Sequence, residues 1–138
     1  MRLNVTFKTS LPVDMAKHSP GEELAAYLRA KFESGGITIS AIDNYEDFAW
    51  ALDTEQDGKK LFILLGHTQD PDDPWLLQIN EYKTRFIDIF RGDVALKQRE
   101  LLAARIHSVL VADKMIDCLR WYEGDFANGN PSATPNPA

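Results

Sequence analysis

Apolar and polar residues alternate with a period of two along much of this chain. In residues 2 to 9, Leu3, Val5 and Phe7 are separated by polar neighbours. This pattern predicts a β-strand with one buried face. The same alternation predicts further strands at residues 37 to 41, 48 to 53, 75 to 79 and 116 to 122.

The centre of the chain has a different pattern. The run Leu61 to Leu65 is apolar at every position, which predicts a central strand covered on both faces. The pair Asp57-Gly58 precedes it, and these residue types favour the positive φ of a tight hairpin turn. The middle of the chain is therefore predicted to be a meander of antiparallel strands.

Two stretches have helical spacing of apolar residues. The first is predicted at residues 20 to 34, where Ser19 as the N-cap and Glu22 three residues later would form a capping box. The second is predicted at residues 93 to 111, with Asp93 as its N-cap. Each helix would present one apolar stripe to a common core.

The predicted order of elements is β-α-β-β-β-β-α-β. We therefore expect an α+β fold, with a mainly antiparallel sheet of five to six strands and two helices packed on one face. The absence of alternating βαβ units argues against a doubly wound nucleotide-binding fold. Residues 1–123 would form the domain, and residues 124–138, rich in Gly, Pro and Asn, would form a disordered tail.

Composition narrows the classes of function. The 138 residues carry a net charge of −6, which makes nucleic acid a poor candidate partner. No apolar stretch approaches the length of a membrane span and no secretion signal is evident, so we expect a cytoplasmic protein without a membrane partner. The lone Cys118 agrees with a reducing compartment, and its place in a predicted strand favours a buried, inert thiol.

No motif in the sequence predicts a cofactor or a catalytic residue. His67 lies close to three carboxylates, those of Asp70, Asp72 and Asp73, and such a set has the donor atoms of a metal site. The segment lacks the glycine and the terminal glutamate of an EF-hand loop, which favours a solvated acidic turn. His107 lies among apolar helix residues and is predicted to be structural.

Two features predict a protein partner. Residues 43 to 73 hold nine carboxylates against Lys59 and Lys60, and we expect them at one edge or end of the sheet, where Asp70, Asp72 and Asp73 would attract a basic partner. Residues 83 to 91 form an apolar segment with a basic rim. One interpretation is a further strand or connector that packs on the core. In the other, the candidate contact residues Phe86, Ile89 and Phe90 would bind a partner or a second copy of the chain in a homodimer.

The size, the acidic character and the sheet with two helices resemble small bacterial accessory proteins, namely immunity proteins of toxin systems and type III secretion chaperones. The closing strand from Ile116 to Trp121 is similar to that of uncharacterised bacterial domains of this length. The resemblance implies a protein-binding or accessory module without catalysis. The alternative is a small-molecule-binding protein or a hydrolytic enzyme that uses dispersed loop residues such as His67, Asp70 and Tyr82.

Overall fold

Six strands hydrogen-bond into one antiparallel sheet in the computed structural model, which describes residues 2–17, 19–82, 92–123 and 130–135. The strands are β1 (Asn4–Thr9), β2 (Ile39–Tyr45), β3 (Ala49–Gln56), β4 (Lys59–His67), β5 (Trp75–Glu81) and β6 (Ile116–Tyr122), and the helices are α1 (Glu22–Ser34) and α2 (Gly92–Ala112). The spatial order is β2-β3-β4-β5-β1-β6. The predicted α+β class and order of elements are confirmed.

Two tight turns build the meander from β2 to β4. Asp57 and Gly58 join β3 to β4 with φ of 49° and 82°, which confirms the predicted hairpin. Glu46 and Asp47 join β2 to β3 in the same way, with φ of 48° and 62°. Positive φ at both central residues matches the natural twist of the flanking strands, so the strands pair without splaying.

The core lies between the two helices and one face of the sheet. Leu24, Leu28 and Phe32 of α1 meet the strand residues that point to this face. α2 contributes the buried residues Leu102, Ala103, Ile106 and Leu110. The strands contribute Val5, Phe7, Ile39, Leu52, Leu61, Ile63, Leu65, Trp75, Leu77, Ile79, Ile116 and Trp121. Both helices therefore pack on one face, as the pattern predicts.

The start of α1 differs from the predicted capping box. Gly21, not Ser19, is the N-cap, and no side chain caps the helix. Gly21 has a φ of 114°, and a Cβ there would lie 3.0 Å from the Trp75 ring. Ser19 is buried, and its backbone carbonyl accepts a 3.0 Å hydrogen bond from Trp50 Nε1. Contacts with Trp50 and Trp75 therefore determine where α1 begins, and the close approach of Trp75 requires glycine at the N-cap.

β6 contains an irregularity at its single cysteine. The register against β1 shifts between Thr6 and Lys8, and Cys118 has a φ of 56°. This arrangement is a β-bulge, in which two residues of one strand oppose one residue of the other. Cys118 is exposed, so the prediction of a buried thiol is wrong. The strand pattern does not reveal a bulge, because the extra residue lies within an ordinary mixture of polar and apolar positions.

Residues 130–135 lie against the sheet, which differs from the disorder predicted for the whole of residues 124–138. Ser132 and Trp121 exchange two backbone hydrogen bonds of 2.8 and 2.9 Å. Pro135 is buried, and its carbonyl accepts a 2.9 Å bond from the Arg2 amide. Backbone pairing to an edge strand needs no apolar side chains, and composition alone therefore missed it.

A histidine and a tryptophan join α2 to β6. Trp121 is fully buried, and its Nε1–H donates a 3.0 Å hydrogen bond to Nδ1 of His107. An imidazole nitrogen accepts this bond only when it carries no proton. Burial lowers the pKa of His107 below its usual value of 6.5. His107 is thus a structural residue at the edge of the core.

We expect acid to weaken the domain through His107. Because the pKa of His107 is lower in the folded state, the unfolded chain binds the proton first, and stability falls as the pH drops below 6.5 towards the folded-state pKa. Chemical denaturation at about pH 8 and about pH 5 should show a larger loss in the native chain than in His107→Asn, which keeps an acceptor for Trp121. Burial also lowers the pKa of His67, so the free energy of unfolding of the double variant with His67→Asn should depend on pH even less. Identical profiles for the native chain and His107→Asn would contradict this.

Deleting residues 130–138 should lower the free energy of unfolding by about 1 kcal/mol, because three backbone hydrogen bonds are lost while chain entropy is regained. The melting temperature should fall by about 4 °C. Deletion of residues 136–138 alone leaves the three bonds in place and is the matched control. Equal melting temperatures for both truncated chains would show that the pairing of Ser132 adds nothing to stability.

Candidate partner-binding surface

Four aromatic side chains form a continuous row on the sheet face that the helices leave uncovered. Phe48, Tyr45, Phe62 and Tyr82 follow one another with ring centroids 5.7, 5.8 and 4.8 Å apart. The first pair meets edge to face, the second is stacked and the third is tilted. These are favourable geometries for aromatic pairs, and each ring limits the rotation of the next. We call these four residues the aromatic row.

Small residues of β3 form the floor of the aromatic row. Ala49 pairs with Tyr45 of β2, and Ala51 lies one step further along the same face. Both alanines are buried although neither helix covers them. Because a methyl group takes little room, the rings of Tyr45 and Phe62 can meet above β3. The row therefore crosses from β2 to the end of β5.

Exposure is concentrated at the two ends of the aromatic row. The side chain of Phe48 is 56% exposed and that of Tyr82 is 37% exposed, whereas Phe62 is only 8% exposed. The central rings hold the row in place, and the terminal rings face the surroundings. Phe62 also explains how β4 is covered on its second face, since aromatic side chains take the place of a second layer of helices.

Carboxylates lie beside the Tyr82 end of the row. The Tyr82 hydroxyl donates a hydrogen bond to Oδ1 of Asp53. Burial raises the pKa of Tyr82 well above its usual range, and the bond to Asp53 and the charges of Asp53 and Asp43 raise it further. Tyr82 is therefore a neutral donor at physiological pH, and it lies in a negative local field.

A cleft of about 1180 Å³ extends from Tyr82 along the β3–β4 hairpin. Its charged lining residues are Asp53, Glu55, Asp57, Lys59 and Lys60. Lys60 pairs with Glu55 across the two strands, which places opposite charges side by side. In the part of the chain that the structure describes, the three carboxylates of the lining outnumber its two lysines, so the cleft has an excess of negative charge.

The predicted acidic turn brings only two of its three carboxylates to the surface. Asp70 and Asp72 are exposed, and Asp70 Oδ1 accepts the 2.9 Å hydrogen bond of the Asp72 amide. Asp73 is buried: Oδ1 accepts a 2.9 Å bond from the Thr6 hydroxyl, and Oδ2 lies 3.4 Å from Arg120 Nη1. Asp73 thus binds its own chain, and the partner-binding prediction remains for Asp70 and Asp72.

The acidic segment from residue 43 to residue 73 is divided between the ends of the sheet, so the prediction of a single end holds in part. The β2–β3 turn and the β4–β5 loop lie at one end, since Ala49 of β3 pairs with Gly66 of β4 and His67 pairs with Trp75. That end carries Glu46, Asp47, Asp70, Asp72 and Asp73. The β3–β4 turn places Asp57 at the opposite end.

The residues of the predicted metal and hydrolase sites do not converge. His67 Nδ1 accepts the 3.1 Å bond of the Gln69 amide, and its ring contacts Trp75 edge to face at 4.9 Å. Tyr82 lies beside the β3–β4 hairpin, at the other end of the sheet from His67 and Asp70. Among the residues described, no group of three or more His, Cys, Asp or Glu is placed to hold a metal ion. The described helices also include none long and apolar enough to span a bilayer.

Sequence reasoning missed the aromatic row and proposed a different apolar surface. Phe86, Ile89 and Phe90 lie outside the described residues, and the homodimer predicted from them stays a prediction. The signal available in the sequence was the alternation of side chains between the two faces of each strand. Tyr45 and Phe62 occupy positions that point away from the predicted core, where exposed strand faces ordinarily carry polar residues.

Comparison of the chain with protein-family models, curated proteins and solved structures gave no match. The resemblance to immunity proteins and secretion chaperones therefore stays a prediction. No residue takes its role from another protein, and the aromatic row and its carboxylates carry the functional argument. Their chemistry suits a cationic partner, because aromatic faces and carboxylates both attract positive charge.

The buried role of Asp73 is testable with a matched pair of variants. Asp73→Asn should lower the free energy of unfolding by about 1–2 kcal/mol, mainly by weakening the buried hydrogen bond of Thr6, because the ion pair with half-exposed Arg120 is screened by solvent. Asp72→Asn should change it by less than about 0.5 kcal/mol. A double-mutant cycle of Asp73→Asn with Thr6→Val measures the coupling by urea denaturation. A coupling energy of zero between the two positions would show that the contact of Asp73 with Thr6 does not stabilise the fold.

Proposed function

We propose that this chain is a protein-binding module whose aromatic row binds a basic segment of a partner protein. The observation that carries the proposal is the exposure of Phe48 and Tyr82 at the ends of the aromatic row, with Asp53 bonded to Tyr82 and two acidic residues directly before Phe48. Exposed aromatic residues on a rigid support are typical of the few residues that dominate interface energies. The central rings supply that support.

Rigidity favours binding here. Binding costs less when the contacting side chains are already ordered, because little rotamer entropy is lost on association. Tyr45 and Phe62 stack with their planes 24° apart, and Tyr45 also holds Phe48 edge to face. The two outer rings are therefore oriented before a partner arrives.

The charge of the surface favours a basic partner. Glu46 and Asp47 precede Phe48 directly, and Asp70 and Asp72 lie at the same end of the sheet. Such a field mainly accelerates encounter and selects partners of opposite charge, while apolar contact sets the rate of dissociation. The exposed carboxylates of the acidic turn thus have a steering role at the end of the sheet that carries Phe48.

A defined basic peptide tests the proposal. The probe is a twelve-residue peptide of Arg, Lys, Gly and Ser, titrated into the isotope-labelled protein while amide chemical shifts are recorded. We expect shifts around Phe48 and Tyr82, and an affinity about tenfold weaker for Phe48→Ala, the loss typical of a contact residue of this kind. Asp43→Asn should slow association, and the association rate should fall steeply as salt rises.

Matched controls make the outcome specific to this face. Val111→Ala removes an equally exposed apolar side chain from α2, and Asp117→Asn removes an exposed carboxylate from β6. Both should bind the peptide like the native chain. The proposal fails if Phe48→Ala and Val111→Ala bind equally well, or if an acidic peptide of the same length binds as tightly as the basic one.

A further inference from the structure

The two ends of the aromatic row offer the same combination of groups. At one end, the exposed ring of Phe48 follows Glu46 and Asp47, in a turn that Asn44 fixes by accepting a 2.9 Å bond from the Asp47 amide. At the other end, the exposed ring of Tyr82 is bonded to Asp53. The Tyr82 end therefore has a ring bonded to a carboxylate, and the Phe48 end has an exposed ring directly after two acidic residues of the same turn.

The middle of the row has less surface to offer. Phe62 is buried and Tyr45 is half-buried, since each is covered by its neighbours in the row. A ligand side chain gains contact area mainly where a ring face is open to solvent. The binding energy of the row should accordingly concentrate at Phe48 and Tyr82.

The combination of ring and carboxylate suits a guanidinium group. Arginine stacks its flat side chain on an aromatic face and keeps its N–H groups free to hydrogen-bond a carboxylate, whereas the compact, strongly hydrated ammonium of lysine cannot do both as well. Asp53 uses Oδ1 to accept the Tyr82 hydroxyl, and no described residue donates to Oδ2. Among the described residues, this oxygen is left for an incoming donor.

The two lysines described near Tyr82 do not neutralise the carboxylates at this end of the row. Lys59 and Lys60 line the cleft beside Tyr82, together with Asp53, Glu55 and Asp57. Lys60 faces Glu55 across the hairpin, so its charge is locally compensated. Among the described residues that line the cleft, three carboxylates therefore face two lysines, which leaves a net negative charge next to Tyr82.

We propose that the aromatic row recognises two arginines of one extended segment, one stacked on Phe48 and the other on Tyr82. This inference rests on the proposed function, and it adds the identity and the number of the anchoring residues. The three ring spacings set an upper limit on the distance between the anchors. The first and fifth residues of an extended chain are four steps of about 3.3 Å apart, roughly 13 Å in all, which lies within that limit. Arginines separated by three residues fit, because their side chains lie on the same side of an extended chain.

Three capped pentapeptides test the inference: Arg-Gly-Ser-Gly-Arg, Lys-Gly-Ser-Gly-Lys and Arg-Gly-Ser-Gly-Gly. Each is titrated into the labelled full-length chain, and amide shifts give the affinity. We expect the two-arginine peptide to bind about fivefold more tightly than the two-lysine peptide. It should bind about tenfold more tightly than the single-arginine peptide, because the second contact forms within the same complex.

Two variants assign the anchors to their rings. Phe48→Leu and Tyr82→Leu each keep an apolar side chain but remove the aromatic face. Each should reduce the affinity of the two-arginine peptide to about that of the single-arginine peptide. The double variant should lose the localised shifts, and Val111→Leu, an exposed position on α2, should change nothing. Circular dichroism confirms that each variant is folded.

The possible results separate the two levels of the proposal. Equal affinity for the arginine and lysine peptides would overturn the preference for guanidinium, and equal affinity for one and two arginines would overturn the paired anchors. In both cases a weaker affinity in Phe48→Leu would still support the row as the binding surface. If no peptide shifts the amides around the row, even at millimolar concentration, the proposed function fails as well.

Discussion

The first strand of the chain lies between the fifth and the last, and it is hydrogen-bonded on both sides. β1 pairs with β5 through residues 4–7 and with β6 through residues 4–9. Without it, the meander of β2 to β5 would have no connection through the sheet to β6. Phe7, fully buried, marks the point where this strand meets the core. Contacts so distant in sequence slow folding, because the chain loses entropy in bringing the strands together before the contacts form.

The buried polar contacts of Asp73 depend on the same strand. Its carboxylate contacts Thr6 of β1 and Arg120 of β6, so one side chain of the β4–β5 loop reaches two strands that are remote in sequence. This explains why one carboxylate of an acidic turn is buried while its neighbours stay at the surface. It also ties the loop that carries Asp70 and Asp72 to the sheet, at the end where the β2–β3 turn carries Phe48.

Much of the fold could be predicted from the sequence, because period-two alternation and helical spacing report burial directly. The strand from Ile116 to Tyr122 and the hairpin at Asp57 follow from such local signals. The cap of α1 did not follow, because contacts with Trp50 and Trp75 decide it. The aromatic row could not be found in this way either. Its members come from β2, the β2–β3 turn, β4 and the residue after β5, and only the register of three strand pairs brings them together.

The bulge at Cys118 reverses the alternation of β6 partway along its length. Ile116 and Trp121 both face the core although an odd number of positions separates them. In a regular strand, residues so spaced would point to opposite sides. The extra residue therefore shifts the alternation of β6 by one position, so that side chains on both sides of the bulge point into the core. A chain shortened by one residue at this place would have to turn either the isoleucine or the tryptophan into water, so the length of this segment is constrained more strictly than its composition.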